Sequence, residues 1–314
     1  MSTVLITGGS GKLGRFVVDR FRQSGWDSIS ADRVPHPDKT VKQVLVNLRN
    51  SGEVLDLITG VNDRFKKLDA IVHLAAIPAP GLASDLAIME NNFNSTLNVF
   101  TAAKNAGVKK IVFASSETVL GLPFDTPPPY VPVDEEYRPR PESYYSLTKF
   151  LEEEAAKELC RWDSELSMSA LRFSNVMDPA EYPGFEDFQK DAKIRKWNLW
   201  AYIDGRDGAQ AVEKAVQYTT PGFEAFIIAN SDSLMRRTNQ DLLDELFPQV
   251  PKRREFSEHE SLLDIGKAKR LLGYQPQYSW RGNYLFVRFL IESILLGLDR
   301  VRRLCIKFYC PKLP

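Results

Sequence analysis

Cysteine is scarce in this chain, which contains only Cys160, Cys305 and Cys310 among its 314 residues. Their spacing matches no metal-ligand pattern, and three thiols cannot form a full disulfide framework. The sequence therefore predicts no metal site and a reducing compartment. A basic stretch followed by an apolar one, as in a secretory leader, is also missing before the first predicted strand. We therefore expect a cytoplasmic protein.

An excess of one charge is missing as well, because 41 lysines and arginines balance 41 aspartates and glutamates. A neutral total gives no electrostatic reason to expect nucleic acid as a partner. The apolar run of the C-terminal tail, residues 284–298, is interrupted by Arg288 and Glu292. It falls short of the roughly 20 apolar residues that a membrane span needs. We expect this segment to pack on the protein body or on a second subunit of a homodimer, rather than at a membrane surface.

A glycine-rich turn near the N-terminus is the most informative stretch. Val4, Leu5 and Ile6 predict a buried strand, and an amphipathic helix follows the glycines. Such a turn lets backbone N–H groups and a helix N-terminus approach a pyrophosphate, which predicts a dinucleotide site. The alternative is an ordinary strand-to-helix turn. The predicted cofactor contacts here are Gly8, Ser10, Gly11, Lys12, Leu13 and Gly14.

The ends of the next predicted strands supply the other cofactor contacts. Asp32 ends the second strand, where a carboxylate would accept hydrogen bonds from the adenosine ribose and so favour NAD. Arg33 could instead pair with a 2′-phosphate, so NADP stays the alternative. The remaining predicted contacts follow the third and fourth strands and are Asn47, Leu48, Leu74, Ala75 and Ala76.

Strand and helix patterns alternate along the chain, which predicts an α/β fold with a Rossmann-type, doubly wound parallel sheet. We assign residues 1–174 to this domain, with return segments near 202–230. A small substrate lobe would contain residues 175–201 and 231–283, with a helical segment over 236–272. Residues 284–314 form the apolar and basic tail.

Tyr145 and Lys149 are four residues apart on a predicted helix, so they share a face. A lysine charge beside a phenol lowers its pKa, and Tyr145 would then act as general acid or base. Ser116 ends a predicted strand and could orient the substrate oxygen, and Asn92 could pass a proton to solvent. Each residue alone is more often structural than catalytic. His73 lies inside an apolar run and is predicted to be a packed core histidine.

In this order, the motifs resemble those of the extended short-chain dehydrogenase/reductase family, also called the NAD-dependent epimerase/dehydratase family. The resemblance implies a bound nicotinamide cofactor, a catalytic set of Ser116, Tyr145 and Lys149, and hydride transfer at a carbon that bears a hydroxyl or carbonyl group. The matching segments are residues 7–14, Asp32, residues 73–76, Asn92, and residues 115–121, 145–149, 172–175 and 202–207.

One departure from the family pattern concerns the substrate. Family members that act on nucleotide sugars usually have an Arg-Asp pair where this chain has Trp200 and Ala201. An indole cannot pair with a phosphate. In this respect the chain resembles members that oxidise free sugar acids, with Asn175 and Arg206 as candidate substrate contacts. The predicted function is therefore NAD(P)-dependent oxidation or reduction of a small sugar-like substrate. The alternatives are a sugar epimerase or dehydratase and a non-catalytic dinucleotide sensor.

Overall fold

Seven parallel strands form one sheet in the order β3-β2-β1-β4-β5-β6-β9. The computed structural model describes residues 2–60 and 67–282. The strands are β1 (Thr3–Thr7), β2 (Asp27–Asp32), β3 (Gln43–Leu45), β4 (Ala70–His73), β5 (Lys110–Ser116), β6 (Ser167–Phe173) and β9 (Gly222–Ile228). Two short strands, β7 (Val176–Met177) and β8 (Ile203–Asp204), pair separately. The predicted Rossmann-type sheet is confirmed.

Helices connect the strands. They are α1 (Lys12–Gln23), α2 (Ser51–Thr59), α3 (Asp85–Asn105), α4 (Tyr144–Trp162), α5 (Phe185–Phe188), α6 (Gly205–Gln217), α7 (Asn239–Leu246) and α8 (Gly266–Leu272). The core strands are apolar without alternation: Val4, Leu5 and Ile6 in β1 are fully buried. This is typical of a parallel sheet that helices cover on both faces.

The order of the strands fixes where a ligand can bind. β1 pairs with β2 on one side and with β4 on the other, so the connections lead away from it in opposite directions. A crevice opens at such a point, beyond the carboxyl ends of the strands. Thr7, Asp32, His73 and Ser116 are the last residues of four of these strands, so the fold brings them to one edge.

The continuous helical segment predicted over residues 236–272 is wrong. The chain forms α7 and α8 there, with irregular backbone between them. Pro248 and Pro251 lie in the interruption, where they cannot donate the hydrogen bonds of a helix. The irregular segment instead pairs with the chain around Val131, whose backbone N–H donates to the Pro251 carbonyl oxygen at 3.0 Å.

The predicted tail, residues 284–314, lies outside the described residues, and so do the proposed contacts with a membrane or a second subunit. The described part of the chain divides into a unit that ends at Gln277 and a second unit that begins at Tyr278. Among the described residues, no helix combines the length and the apolar character needed to cross a membrane. The split into a nucleotide domain and a substrate lobe stays a prediction.

A buried ion pair fixes α4 against the sheet. Both Glu153 carboxylate oxygens accept hydrogen bonds from Arg172 in β6, at 2.9 and 2.8 Å. The Ser115 hydroxyl of β5 donates to the same carboxylate at 2.6 Å. Glu153 is fully buried and Arg172 is 4% exposed. The pair and the Ser115 hydroxyl therefore join α4 to β6 and β5.

We predict that Glu153→Ala lowers the free energy of unfolding by about 3–5 kcal/mol, because it leaves the Arg172 charge buried without its partner. Urea unfolding followed by circular dichroism measures this loss. Glu154→Ala is the matched control, because Glu154 pairs with Lys157 at the surface and should contribute less than about 1 kcal/mol. An equal loss in both variants would contradict the role of the buried pair.

Candidate active site

A cleft of about 960 Å³ opens at the carboxyl edge of the sheet. It brings together most of the residues that the sequence predicted for cofactor and catalysis. Those that line it are Gly8, Ser10, Gly11, Lys12, Leu13, Gly14, Asp32, Arg33, Asn47, Leu48, Leu74, Ala75, Ala76, Ser116, Tyr145, Lys149 and Asn175. One continuous surface therefore extends from the glycine turn to the Tyr145 hydroxyl region.

Two glycines of the turn, Gly8 and Gly14, have no room for a side chain. Gly8 has a φ of +72°, and a Cβ there would lie 2.6 Å from the Ala75 nitrogen. A Cβ on Gly14 would lie 2.0 Å from the Gly8 carbonyl oxygen. α1 begins after Gly11 without a side-chain cap, so its first N–H groups and its positive end are available to an anion. These features fit the pyrophosphate of a dinucleotide.

Asp32 connects the end of β2 to this turn. Its carboxylate accepts hydrogen bonds from the backbone N–H of Ser10 at 3.0 Å and of Arg33 at 2.6 Å. The negative charge at the cleft wall suits ribose hydroxyls and repels a 2′-phosphate. The Arg33 side chain also lines the cleft. The two residues on which the choice between NAD and NADP depends, Asp32 and Arg33, therefore both face the cleft.

Tyr145 and Lys149 share one face of α4, as predicted. The helix begins with a capping box in which the Ser143 and Ser146 side chains each bind the other's backbone N–H, and this fixes the first turn. Tyr145 is 6% exposed and Lys149 is 2% exposed. The Lys149 ammonium donates to the Ala114 carbonyl oxygen at 2.8 Å, which holds it against the end of β5.

The expected lowering of the Tyr145 pKa is wrong for this environment. Burial raises the pKa of Tyr145, and the charges of Glu152 and Glu117 act in the same direction. The Lys149 charge and the Ser116 hydroxyl act to lower this pKa, but burial is the larger effect. Spacing in the sequence reveals the lysine, whereas it reveals neither the burial nor the two glutamates.

Ser116 ends β5 beside the Tyr145 phenol. Its hydroxyl oxygen accepts hydrogen bonds from the Thr118 N–H at 3.2 Å and from the Thr118 hydroxyl at 3.0 Å. The Ser116 proton is therefore directed away from Thr118, and it can be donated either to the Tyr145 oxygen or to another oxygen atom in the cleft.

Asn92 and Arg206 are not among the residues that line the cleft in the described part of the chain. Asn92 is fully buried, and its amide binds both the N–H and the carbonyl oxygen of Ile77, at 2.8 and 3.0 Å. It therefore holds the loop after β4. The Arg206 guanidinium binds Asp204 through two hydrogen bonds of 2.9 and 2.8 Å. The proton-transfer role of Asn92 and the substrate contact of Arg206 stay predictions.

His73 is a packed core histidine, as predicted. It is 2% exposed, and burial lowers its pKa to about 3. Its ring nitrogens lie 2.7 Å from the Thr7 hydroxyl and 3.0 Å from the Thr96 hydroxyl. The imidazole is therefore neutral and fully hydrogen-bonded.

The sequence interpretation missed Glu117, which lines the cleft directly after Ser116. Glu117 is 3% exposed. Its Oε1 accepts a hydrogen bond from the Asn198 amide at 3.1 Å, and Oε2 has no hydrogen-bond partner among the described residues. Burial raises the pKa of Glu117 to about 7. An acid immediately after a strand-end serine was the available signal.

The arginines of the predicted substrate lobe are engaged within the protein. Arg195 lies between the rings of Phe188 and Trp197, and its terminal nitrogens contact the Asn175 side-chain oxygen at 3.4 Å. Others form ion pairs with nearby carboxylates. These are Arg236 with Glu186, Arg237 with Glu245, Arg253 with Asp134, and Arg254 with Glu260.

Comparisons with known proteins agree with the geometry. A family model described as the NAD dependent epimerase/dehydratase family matches residues 4–201, more than half of the chain. A UDP-glucose 4-epimerase of Rhizobium leguminosarum bv. trifolii is 27% identical over 88% of this chain and 93% of its own length. UDP-glucose 4-epimerase 2 of Oryza sativa is 28% identical over 58% of this chain and 47% of its own length. The chain thus spans about half the length of some curated relatives.

Solved structures support the fold. MoeE5 in complex with UDP-glucose and NAD is 25% identical, with a TM-score of 0.66 over 93% of this chain and all of its own. A short-chain dehydrogenase/reductase superfamily protein of Agrobacterium tumefaciens, solved with bound NAD, has a TM-score of 0.67 at 22% identity, over 97% and 99% of the two chains. The relatives named as enzymes of defined substrate act on nucleotide sugars, so they lend no support to the resemblance to free sugar-acid dehydrogenases.

We predict that Gly14→Ala weakens NAD binding at least tenfold or prevents folding, because the new methyl group would collide with the Gly8 carbonyl oxygen. Isothermal titration calorimetry with NAD, together with a thermal melt, measures both effects. Gly184→Ala is the matched control, because a Cβ there would meet nothing within 4 Å and Gly184 does not line the cleft. Equal and normal NAD binding by both variants would contradict the close approach at Gly14.

A second prediction concerns Glu117 and pH. Because its folded-state pKa of about 7 lies above the ordinary 4.5, the folded protein binds more protons than the unfolded chain between these values. Its stability therefore falls as pH rises through this window, by about 3 kcal/mol in total. Glu117→Gln removes this titration, so the variant should gain about that much relative to the wild type between pH 4 and 8.

Urea unfolding of both proteins across this pH range measures the difference. Glu90→Gln is the control for loss of one negative charge, because the Glu90 side chain is 64% exposed. A stability difference between wild type and Glu117→Gln that does not change with pH would show that Glu117 is not held protonated.

Proposed function

We propose a hydride-transfer function for this chain, which belongs to the NAD dependent epimerase/dehydratase family. In this proposal the cleft binds NAD and a small sugar-like substrate and transfers hydride at a carbon that bears a hydroxyl or carbonyl group. One observation carries it: Ser116, Tyr145 and Lys149 converge in the same cleft as the glycine turn. A protein that only sensed a dinucleotide would need the turn and not the three polar residues.

The chain offers contacts for each part of the cofactor. The glycine turn and the start of α1 would hold the pyrophosphate, and Asp32 would accept hydrogen bonds from the adenosine ribose. Asn47 and Leu48 would lie near the adenine, and Lys149 would contact the nicotinamide ribose. NAD, when bound, supplies the acceptor or donor of the hydride.

The side chains of the protein would move the proton that accompanies hydride transfer. Tyr145 would take the proton of a substrate hydroxyl during oxidation, or return it to a carbonyl oxygen during reduction. Ser116 would donate a hydrogen bond to the same oxygen and fix its position. Lys149 is held at 2.8 Å from the Ala114 carbonyl oxygen, and its positive charge favours the phenolate form of Tyr145.

The charges at the substrate end favour a substrate without a diphosphate. Five arginines of the predicted lobe have partners inside the protein, and the buried acid that faces the cleft is Glu117. Trp200 is fully buried, and its indole N–H donates to the Ala192 carbonyl oxygen at 2.8 Å. The residue that replaces the family arginine therefore belongs to the core. A neutral, hydroxyl-rich group suits this surface better than a dianion.

Epimerisation of a nucleotide sugar is the second candidate, because the relatives above are UDP-glucose 4-epimerases. Both reactions begin with the same hydride transfer, and they differ in whether the altered cofactor leaves. The purified protein should be incubated with NAD or NADP and a panel of sugars, sugar acids, simple ketones and UDP-glucose. Steady formation of NADH with a free sugar or sugar acid supports the first candidate. Isomers of UDP-glucose without net NADH would support the second.

We predict that Tyr145→Phe lowers kcat by 10²-fold or more, because it removes the group that moves the proton. The dissociation constant for NAD should change less than threefold. Tyr144→Phe is the matched control on the same helix, because Tyr144 is 43% exposed. Full activity in Tyr145→Phe would reject the catalytic role and favour a protein that only binds the dinucleotide.

A further inference from the structure

Besides Glu153, α4 contains a second buried acid, Glu152, which lies three residues after the predicted catalytic Lys149. The Lys149 ammonium donates to Glu152 Oε2 at 2.9 Å, and the two side chains are 3% and 0% exposed. A surface pair of this spacing contributes little, whereas a buried pair strongly constrains both groups. Lys149 is therefore held from two sides, by Glu152 and by the Ala114 carbonyl oxygen.

A hydrogen-bonded chain leads to this pair from the strand that precedes the glycine turn. The Ala75 N–H donates to the Thr7 hydroxyl oxygen at 3.4 Å, and the Thr7 hydroxyl lies 2.7 Å from His73 Nδ1. His73 Nε2 lies 3.0 Å from the Thr96 hydroxyl. The Thr96 hydroxyl in turn acts to lower the pKa of Glu152, and Glu152 Oε1 has no hydrogen-bond partner among the described residues.

The protons in this chain can be arranged so that a donor faces Glu152. Because Thr7 accepts from Ala75, its own proton can be donated to His73 Nδ1. Burial keeps the His73 imidazole neutral, so the ring proton lies on Nε2 and is donated to Thr96. Thr96 then has its proton available for Glu152. Burial raises the pKa of Glu152, and the Lys149 ammonium at 2.9 Å from Oε2 acts in the opposite direction and stabilises the ionised carboxylate.

A charge at Glu152 affects both residues of the predicted catalytic pair. It raises the pKa of Lys149 and so keeps the ammonium protonated despite burial. It also raises the pKa of Tyr145, in opposition to Lys149. The other charged or titratable groups that act on these two residues are Glu153, which is paired with Arg172, and Glu117 and His73.

We propose that Glu152 is a positioning residue that fixes the Lys149 ammonium beneath the cleft and sets, through its own negative charge, how readily Tyr145 releases its proton. This inference rests on the proposed function of Tyr145 and Lys149. Its physical content, a charge at residue 152 that controls the phenol at residue 145, is measured without any substrate. Failure of one proposal therefore differs visibly from failure of the other.

The test is a titration of Tyr145 by NMR in protein labelled at tyrosine ¹³Cζ, with the Tyr145→Phe variant to assign the signal. Glu152→Gln retains the size and the hydrogen-bond acceptor and removes the charge. We expect it to lower the titration midpoint of Tyr145 by at least half a pH unit, which is a threefold or larger increase in the ionisation constant. An unchanged or raised midpoint would overturn the proposal.

Two further variants separate charge from packing. Glu153→Gln changes an equally buried acid on the same helix that binds Arg172, and it should move the Tyr145 midpoint less than Glu152→Gln does. Glu152→Asp retains the charge and should keep the midpoint close to that of the wild type. Equal shifts in all three variants would mean that any change in the packing of α4 is sufficient, and the charge would have no special role.

The wild-type protein provides a test that depends on no variant folding. In protein labelled at glutamate ¹³Cδ, the Glu152 carboxyl should show the chemical shift of an ionised group at pH 7. A neutral carboxyl at that pH would overturn the proposal. If the NMR results agree but no hydride-transfer activity is found with any substrate, the proposed function fails and the electrostatic coupling stands.

Discussion

The buried pair of Glu153 and Arg172 joins α4 to β6 of the sheet, and the position of the candidate site depends on that attachment. Tyr145 and Lys149 are contributed by the helix, whereas Ser116 and Glu117 are contributed by the end of β5. The geometry of a proton donor and its neighbours is therefore set by how firmly helix and strand are joined. A bidentate ion pair with a serine hydroxyl as third partner defines that contact in both distance and direction.

Burial of ionisable groups is concentrated around the substrate end of the cleft. Glu117, Tyr145, Lys149 and Glu152 are each enclosed, and each has a pKa displaced by burial or by the others. Perturbed groups in one cleft are typical of functional sites. The nucleotide end differs, because its recognition is built from backbone N–H groups and from glycines that bring the backbone close. One end of the cleft thus offers backbone N–H groups to a ligand, whereas the other end offers buried ionisable side chains.

The sequence was sufficient for the sheet, the glycine turn and the pairing of Tyr145 with Lys149, because each follows from local spacing. It failed over residues 236–272, where an apolar period continued across two prolines that interrupt the helix. The proton-transfer role of Asn92 stays a prediction, and its spacing in the sequence did not reveal that its buried amide binds the backbone of Ile77. The shift of the Tyr145 pKa depends on burial and on charged residues from several elements. No single sequence motif reveals their combined effect.

The central claim is that one cleft holds a dinucleotide along the glycine turn and presents the Tyr145 phenol to its reactive end. A crystal structure of the protein with NAD tests this most directly. The account predicts a pyrophosphate against residues 8–14 of the turn, with the nicotinamide ribose within hydrogen-bonding distance of Tyr145 and Lys149. A nicotinamide bound elsewhere, or a pyrophosphate away from the turn, would contradict it.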